Sequence, residues 1–341
     1  MLKINIYFLQ FIGEWIIYTE LLNNSLNTGN KLRFIDLFAG IGGIRLGFER
    51  AFKYDIACVF SSEIDTFATK TYANNFNDIP YGDITKINEK SIPNHDIILA
   101  GFPCQAFSIA GHKKGFLDTR GTLFFEVIRI AKYHKPQVIF LENVKGLLNH
   151  DKGRTFDAIK ESLNDLGYDI HYKLLNAKDY GVPQNRERIY IVCFLNNSSE
   201  FEFPNKINHI VKVGDILDDI VEDKYTISDK LWAGHQRRKL EHKIKGNGFG
   251  YSIFNKQSIY TSTLSARYYK DGSEILIEQL NCNPRKLTPR EAARLQGFPE
   301  DFKIVVSDVQ AYKQFGNSVS VPVIEAIAKN ILKILKVLND K

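Results

Sequence analysis

The sequence is poor in cysteine and has no apolar run of membrane length, no internal repeat and no low-complexity tract. Its four cysteines, Cys58, Cys104, Cys193 and Cys282, are far apart, and no two form a Cys-x-x-Cys pair. That spacing fits neither a disulfide framework nor a zinc site with local ligand spacing, so no metal is expected. A cysteine that matters here acts as a thiol, and a reducing cytoplasm is the expected compartment. The most apolar stretch, Ile4 to Tyr18, is interrupted by Glu14. It falls short of the roughly 20 residues that a membrane span requires. No small-residue cleavage site follows, which argues against a signal peptide. Residues 1–30 therefore read as an extra packed element or an extension. With 44% apolar and 25% charged residues, the composition excludes disordered, collagen-like and coiled-coil classes. A chain of 341 residues is expected to hold one large domain and a smaller one.

The formal net charge is +6, and much of the excess is local. Lys224, Lys230, Arg237, Arg238, Lys239, Lys243 and Lys245 face only Asp229 and Glu241 in the same stretch. Such a cluster is either an electrostatic footprint for a polyanion or a solvated helix face.

From Lys31 to about Leu195, short apolar runs alternate with helix-like segments. Strands are expected over 33–38, 56–61, 96–100, 138–141, 168–175 and 188–194. This rhythm predicts an α/β fold with a largely parallel sheet covered on both faces, and ligand loops at the strand C-termini. Asn196 to Ser199 reads as a linker, and the segment to about Asn283 is irregular, basic and rich in Tyr. A short helix over 291–296 and a closing helix over 319–338 are expected from apolar spacing.

The chemistry-bearing residues fall at the expected strand ends. Gly40-Ile-Gly-Gly43 follows the first strand, but Arg45 stands where a dinucleotide fingerprint needs its third glycine. What survives is a nucleoside-type cofactor site with Glu63 placed to bind ribose hydroxyls and Asp83 further along the same edge. Cys104 follows the third strand in a polar Pro-Cys loop, whereas Cys58 and Cys193 lie inside apolar runs and read as inert thiols. Glu142 ends the fourth strand. Arg186 and Arg188 open the last one on a common side.

In this order the segments 34–43, 101–108, 118–125, 142–146, 184–190, 285–299 and 314–319 resemble the cytosine-5 DNA methyltransferases of bacterial restriction–modification systems. The likeness runs from about residue 31 to the C-terminus. It implies a Rossmann-like S-adenosylmethionine-dependent methyltransferase fold with a mostly parallel sheet and a smaller target-recognition domain. The implied division is an extension over 1–30, a catalytic domain over 31–195, a target-recognition domain over 196–304, and a segment over 305–341 returning to the catalytic domain.

The resemblance also implies roles. The Cys104 thiolate would add to ring carbon 6 of cytosine, making carbon 5 nucleophilic enough to take a methyl group. Glu142 would hold the N3/N4 edge, Arg188 would contact O2 and Arg186 would support the Glu142 side of the pocket. For S-adenosylmethionine, Phe38 would lie against the adenine, and Gly40, Ile41, Gly42 and Gly43 would pass close to the methionine part. Glu63 and Ile64 would flank the ribose and adenine, and Asp83 and Ile84 would follow at the adenine. Pro103, Leu123, Asn317 and Val319 would complete the pocket. Ile64 is a departure, because some relatives carry an aromatic there.

The implied substrate is double-stranded DNA with its target cytosine flipped out. DNA contacts are expected from Ser108, Lys113, Lys114 and Arg120 in a mobile loop, and from Thr263 near the flipped nucleotide. Arg237, Arg238, Asn247, Phe249, Arg267 and Tyr268 are expected contacts from the recognition region. A monomer would suffice, and a cognate restriction endonuclease acting on the same sequence is the implied partner. Two other readings share part of this pattern: an RNA methyltransferase on the same scaffold, and a DNA-binding protein without catalysis.

Overall fold

The computed structural model describes residues 31–103, 123–195, 200–246, 248 and 250–339. Cys104, Ser108, Lys113, Lys114, Arg120, Asn247, Phe249, the 196–199 linker and residues 1–30 lie outside this set.

Six strands form the main sheet: β1 (Leu32–Leu37), β2 (Ile56–Ser62), β3 (Ile97–Ala100), β4 (Val138–Val144), β5 (Tyr168–Asn176) and β6 (Glu187–Leu195). Their spatial order is β2-β1-β3-β4-β6-β5. Pairings among β2, β1, β3 and β4 are parallel, while β6 runs antiparallel to both β4 and β5. The sheet is thus mostly parallel, with one reversed strand inserted near its edge. Continuous apolar runs form these strands because both faces are covered. On one face Phe34, Leu99, Phe140, Tyr190 and Val192 pack under α1 (Gly43–Phe52) and α8 (Val321–Asn339). On the other, Ile35, Ile98, Ile139 and Ile191 meet α3 (Phe124–His134) and α4 (Arg154–Asn164). Helices α1 and α8 approach closely at Gly47, where a Cβ would stand 2.5 Å from the Ile324 side chain.

The chain leaves β1 for β2 on one side and returns to β3 on the other. Strand order therefore reverses at β1, and the crevice beyond the C-termini of β1 and β3 is where an open α/β sheet binds ligands. The turn after β1 feeds α1, and the turn after β2 feeds α2 (Thr66–Phe76). Asp65 caps α2 by accepting from the backbone N–H groups of Phe67 and Ala68.

The rest of the chain carries α5 (Asp229–Ile244), α6 (Pro289–Leu295), α7 (Asp308–Asn317) and two-residue strands β7 (Ile253–Phe254) and β8 (Leu276–Ile277). A third core joins it to the sheet domain. Ile41 and Ala68 pack there with Leu264, Tyr268, Phe298, Phe315 and Val321. Packing is thus continuous across position 304, where the sequence-based division sets its last boundary. Glu291 anchors α6: fully buried, it takes a bidentate bond from Arg285 (2.7 and 2.8 Å) and closes a capping box with Thr288. Among the described residues no helix is long and apolar enough to cross a membrane.

Candidate active site

One cavity of about 510 Å³ opens at the strand C-termini, lined from the glycine turn, the ends of β2, β3 and β4, the start of β6, and α7. At its centre the Glu63 carboxylate accepts the backbone N–H groups of Gly40 and Asp65, each at 2.8 Å. The acid and the glycine turn are thereby locked together. Gly40 has φ +55°, in the left-handed region, and a Cβ there or at Gly82 would meet no protein atom within 4 Å. Both glycines open onto the cavity.

Phe38, Ile41, Gly43, Ile64, Asp83, Ile84, Pro103, Leu123, Asn317 and Val319 also line the cavity, so the chain brings together almost all the expected cofactor residues. Ile64 is 72% exposed. The Asp83 carboxylate accepts from the Thr85 hydroxyl and backbone, which holds it below the usual carboxylate range, with Lys86 adding to the effect. Gly42 is the exception. It does not line the cavity, and a Cβ on it would stand 2.2 Å from the Phe76 ring, so this glycine serves the approach of α2 to the turn.

Glu142 and Arg188 form the far wall. Antiparallel register sets Glu142 opposite Tyr190, which puts Arg188 diagonally beside it on the same sheet face. The two side chains pair at 3.2 Å. Burial raises the Glu142 pKa above the usual carboxylate range, opposed by Arg188 and then Arg186. Among the described residues, Glu142 Oε1 is buried and makes no aligned hydrogen bond, and the same holds for Arg186 Nε.

Arg186 is expected to support the Glu142 side, and the structure gives it further work. Its guanidinium donates to the carbonyls of Leu264, Gly316 and Ser318 at 3.0, 3.2 and 2.5 Å. It therefore staples the segment around Leu264 to the end of α7, with no hydrogen bond to Glu142 itself. Gly316 permits this closeness, since a Cβ would stand 2.3 Å from the Ser265 carbonyl oxygen.

Asn143 receives no separate role from the sequence, though it lines the cavity. Its amide donates to the Phe102 carbonyl at 2.8 Å and its oxygen accepts from the Val144 N–H at 2.9 Å. The end of β4 is thereby tied to the segment entering the Pro-Cys loop. Gln310 and Lys313 of α7 are further lining residues that sequence spacing leaves unmarked, and Gln314, which opens the 314–319 segment, lines the cavity beside them.

The expected DNA contacts divide. Arg237 and Arg267 are exposed, and Arg238 is spent in part on Asp271 at 3.1 Å and on His235. Thr263 donates its hydroxyl to the Asn185 carbonyl at 2.6 Å. Tyr268 must be removed from the set. It is 0% exposed, its hydroxyl donates to the Ile275 carbonyl and accepts from the Leu287 N–H, and it belongs to the third core. The Arg-Tyr-Tyr run reads as polar surface in sequence, but a buried, doubly bonded phenol has no face left for DNA.

Along α5, by contrast, only His235 is buried, so most of the basic cluster faces solvent. No group of three or more His, Cys, Asp or Glu able to hold a metal occurs among the described residues.

Comparison with known proteins agrees with this geometry. Among solved structures, the Entamoeba histolytica methyltransferase EhMeth superposes with a TM-score of 0.73 at 24% identity, covering 90% of this chain and 99% of that one. The S. pombe Dnmt2 methyltransferase superposes equally, TM-score 0.73 at 22% identity, covering 91% and 100%. At that identity the likeness concerns the fold. Sequence relatives are nearer. The Type II methyltransferase M1.ScrFI of Lactococcus lactis subsp. cremoris is 64% identical over 310 residues, 90% of this chain and 79% of the relative. The Type II methyltransferase M.NlaX of Neisseria lactamica is 60% identical, over 91% of this chain and 99% of the relative. Residues 32–333 match the family of C-5 cytosine-specific DNA methylases, and the chain belongs to that family.

Proposed function

We propose that this cytosine-5 DNA methyltransferase uses S-adenosylmethionine to methylate carbon 5 of a cytosine rotated out of duplex DNA, within one short sequence, through a covalent bond to Cys104. The same reading makes it the protective, cytoplasmic partner of an endonuclease that cuts the same sequence. One observation carries the proposal: among the described residues Glu142 Oε1, in ion-pair contact with Arg188, and Arg186 Nε are buried without an aligned hydrogen bond, in a family of cytosine methylases. A buried polar atom without a hydrogen bond costs about 1–3 kcal/mol, so a site that keeps one at Arg186 Nε, beside a Glu142 Oε1 held only by its ion pair with Arg188, suits a polar ligand. A cytosine ring offers an N3/N4 edge to the carboxyl and an O2 to a guanidinium.

The residues present fit the cofactor. Gly40 and Gly82 leave open space, and Glu63 is held so that its remaining lone pairs suit a ribose diol. Asp83 suits an exocyclic amine. When bound, S-adenosylmethionine supplies an electrophilic methyl group.

The protein's own steps then follow. The Cys104 thiolate adds to carbon 6 while Glu142, whose raised pKa favours the protonated form, donates toward N3 and limits the charge that develops on the ring. Arg188 holds O2. After carbon 5 takes the methyl group, its proton leaves to a base, the C6–S bond breaks to restore the thiolate, and N3 returns its proton to Glu142. Rotating the base out costs a few kcal/mol, which pocket and phosphate contacts offset. Residues 196–304 supply the recognition module, with exposed cations of α5 against phosphates, and residues 305–341 return to the catalytic domain.

Base-resolution methylation mapping of DNA from cells expressing the wild type or Cys104→Ala tests this reading. Methylcytosine at one short motif, absent with the variant, is expected. An unmethylated genome with soluble wild-type protein would overturn it.

A further inference from the structure

Helix α5 carries most of the basic cluster, yet its attachment to the rest of the molecule is polar. His235 is its one buried residue, 2% exposed. Arg238 donates to His235 Nδ1 at 2.8 Å, so the ring's proton lies on Nε2 and is given to the Asp271 carbonyl at 3.2 Å. Arg238 also donates to the Asp271 carboxylate at 3.1 Å. Lys239 donates to the Tyr251 carbonyl at 3.3 Å and lies over the Tyr251 ring, against which Trp232 packs edge-on. Trp232, His235, Arg238 and Lys239 stand three or four residues apart and so share one helical face.

Asp271 sits in the loop that follows Leu264, and Arg186 holds the Leu264 carbonyl. Tyr268 roots the same loop in the third core. His235, Arg238 and Asp271 therefore clamp α5 to a loop that is already fixed on the catalytic pocket. The cations of the cluster divide accordingly. Arg238 and Lys239 are engaged in attachment. Lys230 is exposed and makes no ion pair among the described residues, and Arg237 meets only Glu241 there, at 3.6 Å on the open surface. At 100° per residue, Lys230 and Arg237 fall together on the face opposite His235.

We infer that His235, Arg238 and Asp271 are positioning residues, which set the direction of α5 so that Lys230 and Arg237, and not Arg238, meet DNA phosphates. This rests on the reading of α5 as a phosphate-contacting helix of a DNA methyltransferase. A helix with one buried side chain has little apolar packing to keep its direction once the clamp opens. A neutral residue with no access to DNA thus controls how many cations reach it. Asp271 makes the two roles of Arg238 differ in sign. Were Arg238 a phosphate contact, Asp271→Asn would free its guanidinium, remove a negative charge and tighten DNA binding. As a clamp, the same change takes away the acceptor of Arg238 and weakens DNA binding.

Salt dependence tests this, because the slope of log affinity against log salt changes by about 0.9 for each phosphate contact. Dissociation constants for a fluorescent duplex of about 30 base pairs are measured by anisotropy across a KCl series. Each variant is used at a temperature where urea unfolding shows it fully folded. Arg237→Gln should make the slope shallower by about one. Asp271→Asn and the uncharged change His235→Ala should each make it shallower by about two and weaken binding about tenfold at about 100 mM salt. His235→Asn, whose side-chain oxygen can accept from Arg238 in place of Nδ1, should recover most of the loss. Tighter binding by Asp271→Asn, or a wild-type slope in either Asp271→Asn or His235→Ala, would overturn the clamp. A wild-type slope in the double variant Lys230→Gln, Arg237→Gln would instead bring down the placement of α5 on phosphates. Wild type failing to bind the duplex at all would bring down the methyltransferase reading on which both depend.

Discussion

The Arg188 guanidinium stands 3.2 Å from Glu142 Oε1 across the antiparallel β4–β6 pair, an oxygen that has no aligned hydrogen bond among the described residues. Burial pushes the carboxyl toward its neutral form and Arg188 pulls it back, so the pair can hold or release a proton. Glu142→Gln keeps the shape and removes the transferable proton. We expect kcat to fall by about 10²–10⁴-fold with DNA affinity nearly unchanged, because affinity comes largely from phosphate contacts. Single-turnover kinetics with labelled cofactor, beside a gel-shift titration, reads both quantities. A kcat within threefold of wild type would remove Glu142 from the chemistry.

Asn143 gives a stability prediction. Both ends of its amide are used, on the Phe102 carbonyl and the Val144 N–H, and the side chain is buried. Asn143→Ala leaves a buried carbonyl unmet at the entrance to the Pro-Cys loop. A loss of about 1–3 kcal/mol is expected from urea unfolding, seen as a lower midpoint at unchanged slope. The same variant should lose methyl transfer beyond what reduced folding explains, measured at a temperature where it remains fully folded.

Much of this site is legible in the sequence because strand ends in a parallel sheet converge. The glycine turn, Glu63, Glu142 and Arg188 each follow or open an apolar run, and such runs must be central strands. The reversal of β6 is not legible in that way. A strand buried on both faces is apolar throughout, and its composition is the same in either direction. Tyr268 deceives for a related reason: a tyrosine beside Arg267 looks like surface, and only tertiary packing supplies the carbonyl and N–H that let it be buried.

The buried ion pair below the recognition region is a separate test. Glu291 is 0% exposed and accepts from Arg285 twice, from the Thr288 N–H and from the Asp218 N–H. Glu291→Gln removes the charge that compensates Arg285 while keeping the volume. We expect a destabilisation of about 3–5 kcal/mol, the cost of leaving one member of a buried pair unmatched. Replacing both residues with apolar side chains of similar size should cost less than the single change. The reverse order, measured by chemical denaturation, would mean that the backbone bonds to Glu291, not the charge pair, hold α6.

Asp36 yields the pH prediction. It lies under the glycine turn, 1% exposed, accepting from the Tyr72 hydroxyl at 3.2 Å, and Tyr72 in turn accepts from Arg45 at 3.0 Å. Burial raises its pKa from 3.8 to about 7 despite Arg45. Between those values the unfolded chain has lost the proton and the folded chain keeps it, so raising the pH favours unfolding. The contribution is flat below about pH 4, declines by at most about 1.4 kcal/mol per unit through the window, and is flat again above pH 7. Asp36→Asn cannot titrate and lacks this slope. Unfolding free energies of the two proteins, measured from pH 4.5 to 8, should therefore diverge, with wild type losing ground as pH rises and the difference levelling off beyond neutrality. Parallel curves would mean that Arg45 keeps Asp36 ionised throughout, and that the network under the glycine turn is a salt bridge relayed by Tyr72 instead of a proton-holding site.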